Sequence, residues 1–176
     1  MPKIAKSAKD AKNGIPFSAG DFVVYPAHGV GKVTNIESQT IGGQKVELFV
    51  ISFERDRMTL RVPVRKVENS GLRKLSTRKV MEAALTTLKG RARVKRAMWS
   101  RRAQEYEAKI NSGDPVSIAE VVRDLHRNAG QPDQSYSERQ IYEAALDRLA
   151  RELAAVERID KDLATQKLNS VLQKVA

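Results

Sequence analysis

The spacing of apolar residues changes once along this chain, near residue 75, and that change decides what each part can fold into. From Phe22 to Val67 the sequence is rich in Val, Ile, Phe and Tyr and is broken by glycines. "DFVVYPAHGVGKVTNIE" reads as a short strand, a Pro-His-Gly turn at 26–29 and a second strand from about Val30 to Glu37. "TIGGQKVELFVISF" places Gly42 and Gly43 between two extended runs, where glycine supplies the positive φ that a tight hairpin turn demands. After a break at "ERDR", Met58, Leu60 and Val62 alternate with Thr59, Arg61 and Pro63. Arg61 therefore shares a face with Thr59, while the three apolar residues point inward. Four or five short strands within about 50 residues, with no helical period, predict a small, strongly bent sheet or barrel.

Beyond Leu75 the apolar residues recur at helical spacing. "STRKVMEAALTTLKG" sets Val80, Ala84, Leu85 and Leu88 on one face, and Gly90 ends that helix or opens a linker. "GDPVSIAEVVRDLHRNAG" offers Asp114 or Ser117 as a cap with Pro115 near the first turn, and Ser117 with Glu120 fits a capping box. Its buried stripe is Ile118, Val121, Val122 and Leu125. "SYSERQIYEAALDRLARELAAVERI" carries a second candidate box, Ser137 with Gln140, and aligns Ile141, Ala145, Leu149 and Leu153. "DKDLATQKLNSVLQKV" either continues that helix or forms a last one. The expected fold is α+β, with four or five helices after the sheet. Residues 1–16 read as a flexible basic tail, 17–72 as the β domain, and 73–176 as a compact all-helical domain with a flexible C-terminal end.

The 176 residues carry a formal net charge of +11. A polyanionic partner follows, with nucleic acid ahead of anionic membrane and acidic protein. The surplus is local: residues 76–109 carry +7, whereas 110–176 carry −2. There is no cysteine, so disulfide and thiolate chemistry are excluded and a reducing cytosol is suitable. No apolar run approaches the roughly 18 residues of a membrane span. The basic "MPKIAKSAKDAKNG" is followed by neither the apolar core nor the cleavage site of a secretory signal.

Catalytic chemistry finds little support. His28 and His126 are the only histidines and make no zinc spacing with each other. His28, in a turn between strands, is expected to serve local hydrogen bonding, and His126, at a helix end, a structural role. Gly29 and Gly31 in "AHGVGK" only superficially resemble a phosphate loop, because a strand follows where a helix N-terminus is needed. Nothing assembles a nucleophile, a base and an oxyanion site. No enzyme, cofactor or metal is expected.

Trp99, the only tryptophan, stands in "RVKRAMWSRRAQEYE" with Arg91, Arg93, Lys95 and Arg96 ahead of it and Arg101 and Arg102 behind. Two readings compete. On a helix through 94–110, Trp99, Ala103, Tyr106 and Ile110 share one face, which makes the ring the first large residue of a core stripe. Alternatively, Ser100 caps a helix that starts only there, leaving Trp99 at its exposed mouth. An indole so placed would lie as an apolar wedge against a groove while arginines grip phosphates.

Taken together, "GDFVVYPAHGVGKVTNIE", "TIGGQ", "TLRVPV", "WSRR" and "SGDPVSIAEVVRDLHR" closely resemble the CarD/CdnL family of bacterial RNA-polymerase-binding transcription regulators, over roughly residues 17–160. The first part is also similar to the polymerase-binding module of the transcription-repair coupling factor, whose helicase motor this chain lacks. The resemblance implies a Tudor-like β domain docking on the polymerase β subunit. It further implies a helical domain on promoter DNA at the upstream edge of the −10 region, stabilising the open complex. By the "WSRR" match Trp99 would wedge into the minor groove, with Arg101 and Arg102 on the phosphate backbone and Arg91, Arg93, Lys95 and Arg96 adding phosphate affinity. The polymerase face would comprise Arg61, Thr59 and the segment before the hairpin. There this chain has Gln39 where some members carry an arginine, just as Gln104 stands where some carry a lysine. A cytoplasmic monomer, associated with the nucleoid through polymerase and with no membrane partner, is expected. The alternative is a protein-interaction module of the transcription machinery that never touches DNA.

The charge distribution generates a first prediction. A basic cluster over 89–102 reaches three or four phosphates, so free protein is expected to bind duplex with a salt slope near −3 and an affinity no better than roughly 10⁻⁴ to 10⁻⁶ M. Fluorescence anisotropy across a salt series measures both, and a sub-nanomolar, sequence-selective complex would contradict it.

Overall fold

The computed structural model describes residues 17–93, 96–127 and 132–173. Strands β1 (Phe22–Tyr25), β2 (Gly29–Ile41), β3 (Gln44–Phe53), β4 (Met58–Pro63) and β5 (Arg73–Lys74) form one sheet in the order β4-β3-β2-β1-β5. The glycine pair does what the hairpin requires, with φ of 58° at Gly42 and 80° at Gly43. β2 runs four residues beyond the expected end at Glu37, since it stays paired with β3 up to Ile41 opposite Gln44. A register shift between Val33 and Asn35 interrupts that ladder. An irregularity of this kind increases local twist, which is how a short sheet bends enough to enclose a core.

Helices α1 (Val67–Ser70), α2 (Arg78–Leu88), α3 (Trp99–Asn111), α4 (Pro115–Leu125), α5 (Tyr136–Glu157) and α6 (Lys161–Gln173) follow β4, the last five after the sheet is complete. This is the expected α+β arrangement. The chain forms two compact units: Gly31–Leu72 with the segment ending at Val23, and Arg73 onward with the turn segment Val24–Val30.

In the sheet unit Phe17, Val33, Phe49, Ile51, Phe53 and Val62 are buried. Phe17 meets Phe49 edge to face, with ring centroids 5.7 Å apart. Gly31 has a packing role here. A Cβ on it would lie 2.7 Å from Ile51 Cγ2 and 2.8 Å from Phe53 Cε1, so the backbone itself is the surface on which Phe53 rests.

The helical unit has a single core, to which α2 gives Met81, Ala84 and Leu88 and α4 gives Ile118, Val121, Val122 and Leu125. Ile141, Ala145, Leu149 and Leu153 of α5 are buried as their spacing predicts, and α6 adds Ala164, Leu168 and Leu172. α6 is a separate helix, because Arg158 turns left-handed (φ 56°) and ends α5. Both proposed capping boxes are misplaced. Asp114 alone caps α4, accepting from the Ser117 N–H, so Ser117 is inside the helix and Glu120 pairs instead with Lys109. α5 is capped by Ser135, which accepts from Glu138 N–H, leaving Ser137 and Gln140 within the helix.

A buried acid ties this unit together. Glu152 of α5 takes two bonds from the Arg73 guanidinium, at 2.8 and 3.1 Å, and two more from the Ser76 N–H and hydroxyl. The same guanidinium donates to the Gly113 carbonyl at 2.6 Å. A buried carboxylate is tolerated only when so fully bonded.

The contact at Gly31 generates the second prediction. Gly31→Ala should lower the stability of the sheet unit by about 1–3 kcal/mol, the usual cost of overpacking a close-packed core. Urea unfolding followed by near-ultraviolet circular dichroism measures it, and an unchanged midpoint would contradict the assignment.

Candidate functional site

In the helical unit the candidate residues gather at the start of α3. The helix begins at Trp99, with Met98 as its N-cap residue and no side-chain cap. Ser100 is therefore not the cap that the sequence offered; it is the second residue of the helix. The main-chain N–H groups of Arg101 and Arg102 bond to the Met98 carbonyl, and the first turn holds no acidic residue.

The structure places Trp99 on the core stripe of the first reading. Of the second, neither the Ser100 cap nor a fully exposed ring is present, although Trp99 is the first residue of the helix. The ring is half-buried against the helical core, at the end of a stripe whose deeper members, Tyr106 and Ile110, are buried. Its indole N–H donates to Ser137 Oγ at 3.2 Å, and its centroid lies 6.3 Å from that of Tyr106 at an angle of 48°. The expected i, i+7 neighbour is thus present, but the stripe tapers toward solvent instead of ending in a fully buried ring. Met98, beside it, is 79% exposed.

The basic residues divide by what holds them. Arg102 is half-buried, with its guanidinium carbon 5.5 Å from the Trp99 centroid and 5.9 Å from that of Tyr106. One of its terminal nitrogens donates to the Tyr106 hydroxyl at 3.3 Å. Its Nε is buried without a hydrogen-bond partner among the described residues. Arg102 therefore braces the indole through cation–π contact. Arg91, Arg93, Arg96 and Arg101 are exposed, as is Gln104. Lys95 lies outside the described residues. Although the Arg93 side chain is exposed, its N–H bonds at 2.9 Å to the buried Asp124 carboxylate, which also accepts from Arg123 Nε at 2.9 Å. Asp124 so anchors the main chain at Arg93.

Sequence reasoning missed Ser137 and Asp124. Ser137 was hidden by its assignment to a capping box. Asp124 carried a usable signal: an acid beside Arg123 within an apolar helix needs a buried partner.

In the sheet unit, Thr59 and Arg61 are exposed on one face of β4 and Val62 is buried on the other, with Met58 and Leu60 only partly covered. Arg61 lies opposite Val50 on β3, and Glu37 of β2 lies opposite Leu48. Arg61 Nε donates to Glu37 Oε2 at 3.2 Å, so the ion pair spans β3. Leu48 and Val50, on that same outer face, are each only 6% exposed. Gln39, two residues along β2, donates to the same carboxylate oxygen at 3.4 Å. The structure thus brings Arg61 and Gln39 together through Glu37, which the sequence had not singled out. Thr59 shares their face, opposite Ser52.

The histidines serve local structure. His28 stacks on Tyr25 with ring centroids 5.5 Å apart. His126 Nδ1 lies 3.0 Å from the Tyr142 hydroxyl, and burial raises the Tyr142 pKa above its usual value. No helix among the described residues is long and apolar enough to cross a membrane, and no cluster of metal-ligating side chains occurs among them.

Comparison with known proteins gives two family matches. Residues 17–76 match the CarD-like/TRCF RID domain and residues 83–169 match the CarD C-terminal domain. A protein of Bacillus subtilis (strain 168), named "Putative transcription factor YdeB", is 28% identical over 143 residues, covering 81% of this chain and 94% of that protein.

The half-buried indole generates the third prediction. Full burial would make Trp99→Ala cost about 3–5 kcal/mol; with a tapering contact, one hydrogen bond and one cation–π brace, about 2 kcal/mol is expected. Denaturant unfolding measures it, and a loss above roughly 4 kcal/mol would make the ring a plain core residue.

Proposed function

The chain belongs to the CarD family of transcription factors, and from that premise we propose that it is a non-catalytic adaptor joining RNA polymerase to promoter DNA. In this reading the sheet unit binds the polymerase β subunit. The helical unit lies at the upstream edge of the −10 region and prolongs the open complex. The protein acts as a monomer in the cytoplasm, held near the nucleoid by polymerase.

The observation that carries the DNA half is the start of α3. A helix N-terminus presents unbonded N–H groups and a partial positive charge, normally relieved by a capping side chain or an acid. Here both are missing, and Arg101 and Arg102 add positive charge in the first turn. Left alone this arrangement is unfavourable. A phosphate would bond the N–H groups and neutralise the arginines together. The partly buried indole beside it supplies the apolar surface with which minor-groove proteins enter a distorted base step.

The polymerase half is supported by the match of residues 17–76 to a CarD-like/TRCF RID domain and by the outer face of β4. Arg61 is 49% exposed there and held by Glu37, which is 33% exposed. Exposed pairs of this kind are worth under about 1 kcal/mol, so an acidic surface on the polymerase can recruit the guanidinium at little cost.

The two halves make separate predictions. Arg61→Glu should abolish capture of polymerase, since a glutamate would repel an acidic partner, while the exposed repulsion from Glu37 lowers the melting temperature only slightly. Trp99→Ala should leave polymerase capture intact but speed the decay of competitor-challenged open complexes roughly tenfold, equivalent to about 1.4 kcal/mol. Normal decay in that variant with polymerase still bound would favour an adaptor that contacts protein alone.

A further inference from the structure

We infer that Tyr136 is a second base-stacking residue, which receives an unpaired nucleobase next to the position taken by Trp99. The inference rests on the proposed DNA reading and goes beyond it in naming a residue, on a different helix, that selects single-stranded over paired DNA. Met98 and Tyr136 are the most exposed large apolar side chains among the described residues, at 79% and 78%, and each is the chain neighbour of a residue at the indole. Met98 precedes Trp99 in the chain. Tyr136 precedes Ser137, whose hydroxyl accepts the indole N–H.

An exposed aromatic ring ordinarily gains nothing from the solvent it faces. This one is also held: Gln140, one turn along α5, donates to the Tyr136 hydroxyl. The ring is therefore restrained from its polar end while its apolar surface stays open. A platform held in place in this way loses little entropy when a planar ligand stacks on it.

The charges around the patch identify the ligand class. Arg96 and Arg101 beside Trp99, and Arg139 beside Tyr136, are exposed. The one acid in the first turn of α5, Glu138, is engaged by Arg127 at 3.0 Å. The exposed arginines outnumber the exposed acids nearest to Tyr136 along the chain, Asp133 and Glu143, and apolar surface in that setting suits a nucleobase attached to a phosphate chain better than an apolar peptide.

The test uses the full chain with two DNA probes of equal length. One is a fork carrying 2-aminopurine at its first unpaired position, the other a fully paired duplex. Wild type is expected to prefer the fork and to quench the fluorophore. Tyr136→Ala should weaken fork binding roughly five- to tenfold, abolish the quench and leave duplex affinity unchanged, while Tyr136→Phe, which keeps the ring face, should retain most of both. Equal loss on fork and duplex would overturn the inference, because Tyr136 would then be an ordinary backbone contact. Unchanged DNA binding with weakened polymerase capture would also overturn it, making the patch a protein contact. Trp99→Ala run in parallel separates the two readings. If that variant loses fork binding and Tyr136→Ala does not, the wedge stands and this inference fails. If only Tyr136→Ala loses it, the wedge fails and this inference stands.

Discussion

The helical unit depends on one buried carboxylate. Glu152 receives Arg73 and Ser76 from the entry to α2, and Arg73 in turn holds the carbonyl of Gly113 between α3 and α4. Two segments remote in sequence are thereby fixed to α5 by directional bonds, where apolar packing alone would permit sliding. Removing Arg73 would leave the buried Glu152 carboxylate without its charge partner, which costs more than the pair contributes. The network therefore specifies one arrangement of the helix ends, and the start of α3 inherits its position from an α3–α4 turn set in this way.

Against that fixed frame, α3 departs from the local rules its neighbours obey. α2, α4 and α5 are capped by Thr77, Asp114 and Ser135, each accepting a main-chain N–H. α3 has Met98 at the equivalent place and arginines in its first turn. Local violations of this kind persist where a site requires them and the rest of the fold compensates. Compensation here is visible in Tyr106 and Ile110, which anchor the helix from its far side, and in Arg102, whose charge spreads over two aromatic faces.

Much of this was legible in the sequence because periodicity reports burial. The stripes of α4 and α5, the glycine hairpin and the alternation on β4 follow from repeats of 3.6 and 2. Caps were less legible, because "SYSE" and "DPVS" each hold two competent residues and the choice is made by tertiary packing. That ambiguity hid part of the site: a cap at Ser135 puts Ser137 inside α5, where it meets the indole, and Gln140 beside Tyr136. Trp99 itself resisted a yes-or-no reading because a tapering stripe produces the same spacing as a buried one. Glu37 was invisible for a different reason. Its link to Arg61 crosses a strand between them, and only the register of β2, β3 and β4 brings the two charges together.

That crossing also gives physical meaning to Gln39. Glu37 is shared by Arg61 at 3.2 Å and Gln39 at 3.4 Å, so the group of three is neutral. An arginine at position 39, as in some members of the family, would make it positive and would compete with Arg61 for the carboxylate. Arg61 would then be freer to leave Glu37 for an acidic partner, and the face would attract that partner from farther away. With glutamine, the group offers no net long-range attraction, and an exchange of partners by Arg61 would bring Glu37 close to an acidic surface. On the proposed reading, docking through this face would draw on short-range fit as well as on charge. The apolar residues beneath the ion pair, Leu48 and Val50, are the surface that fit would use once Arg61 swings away.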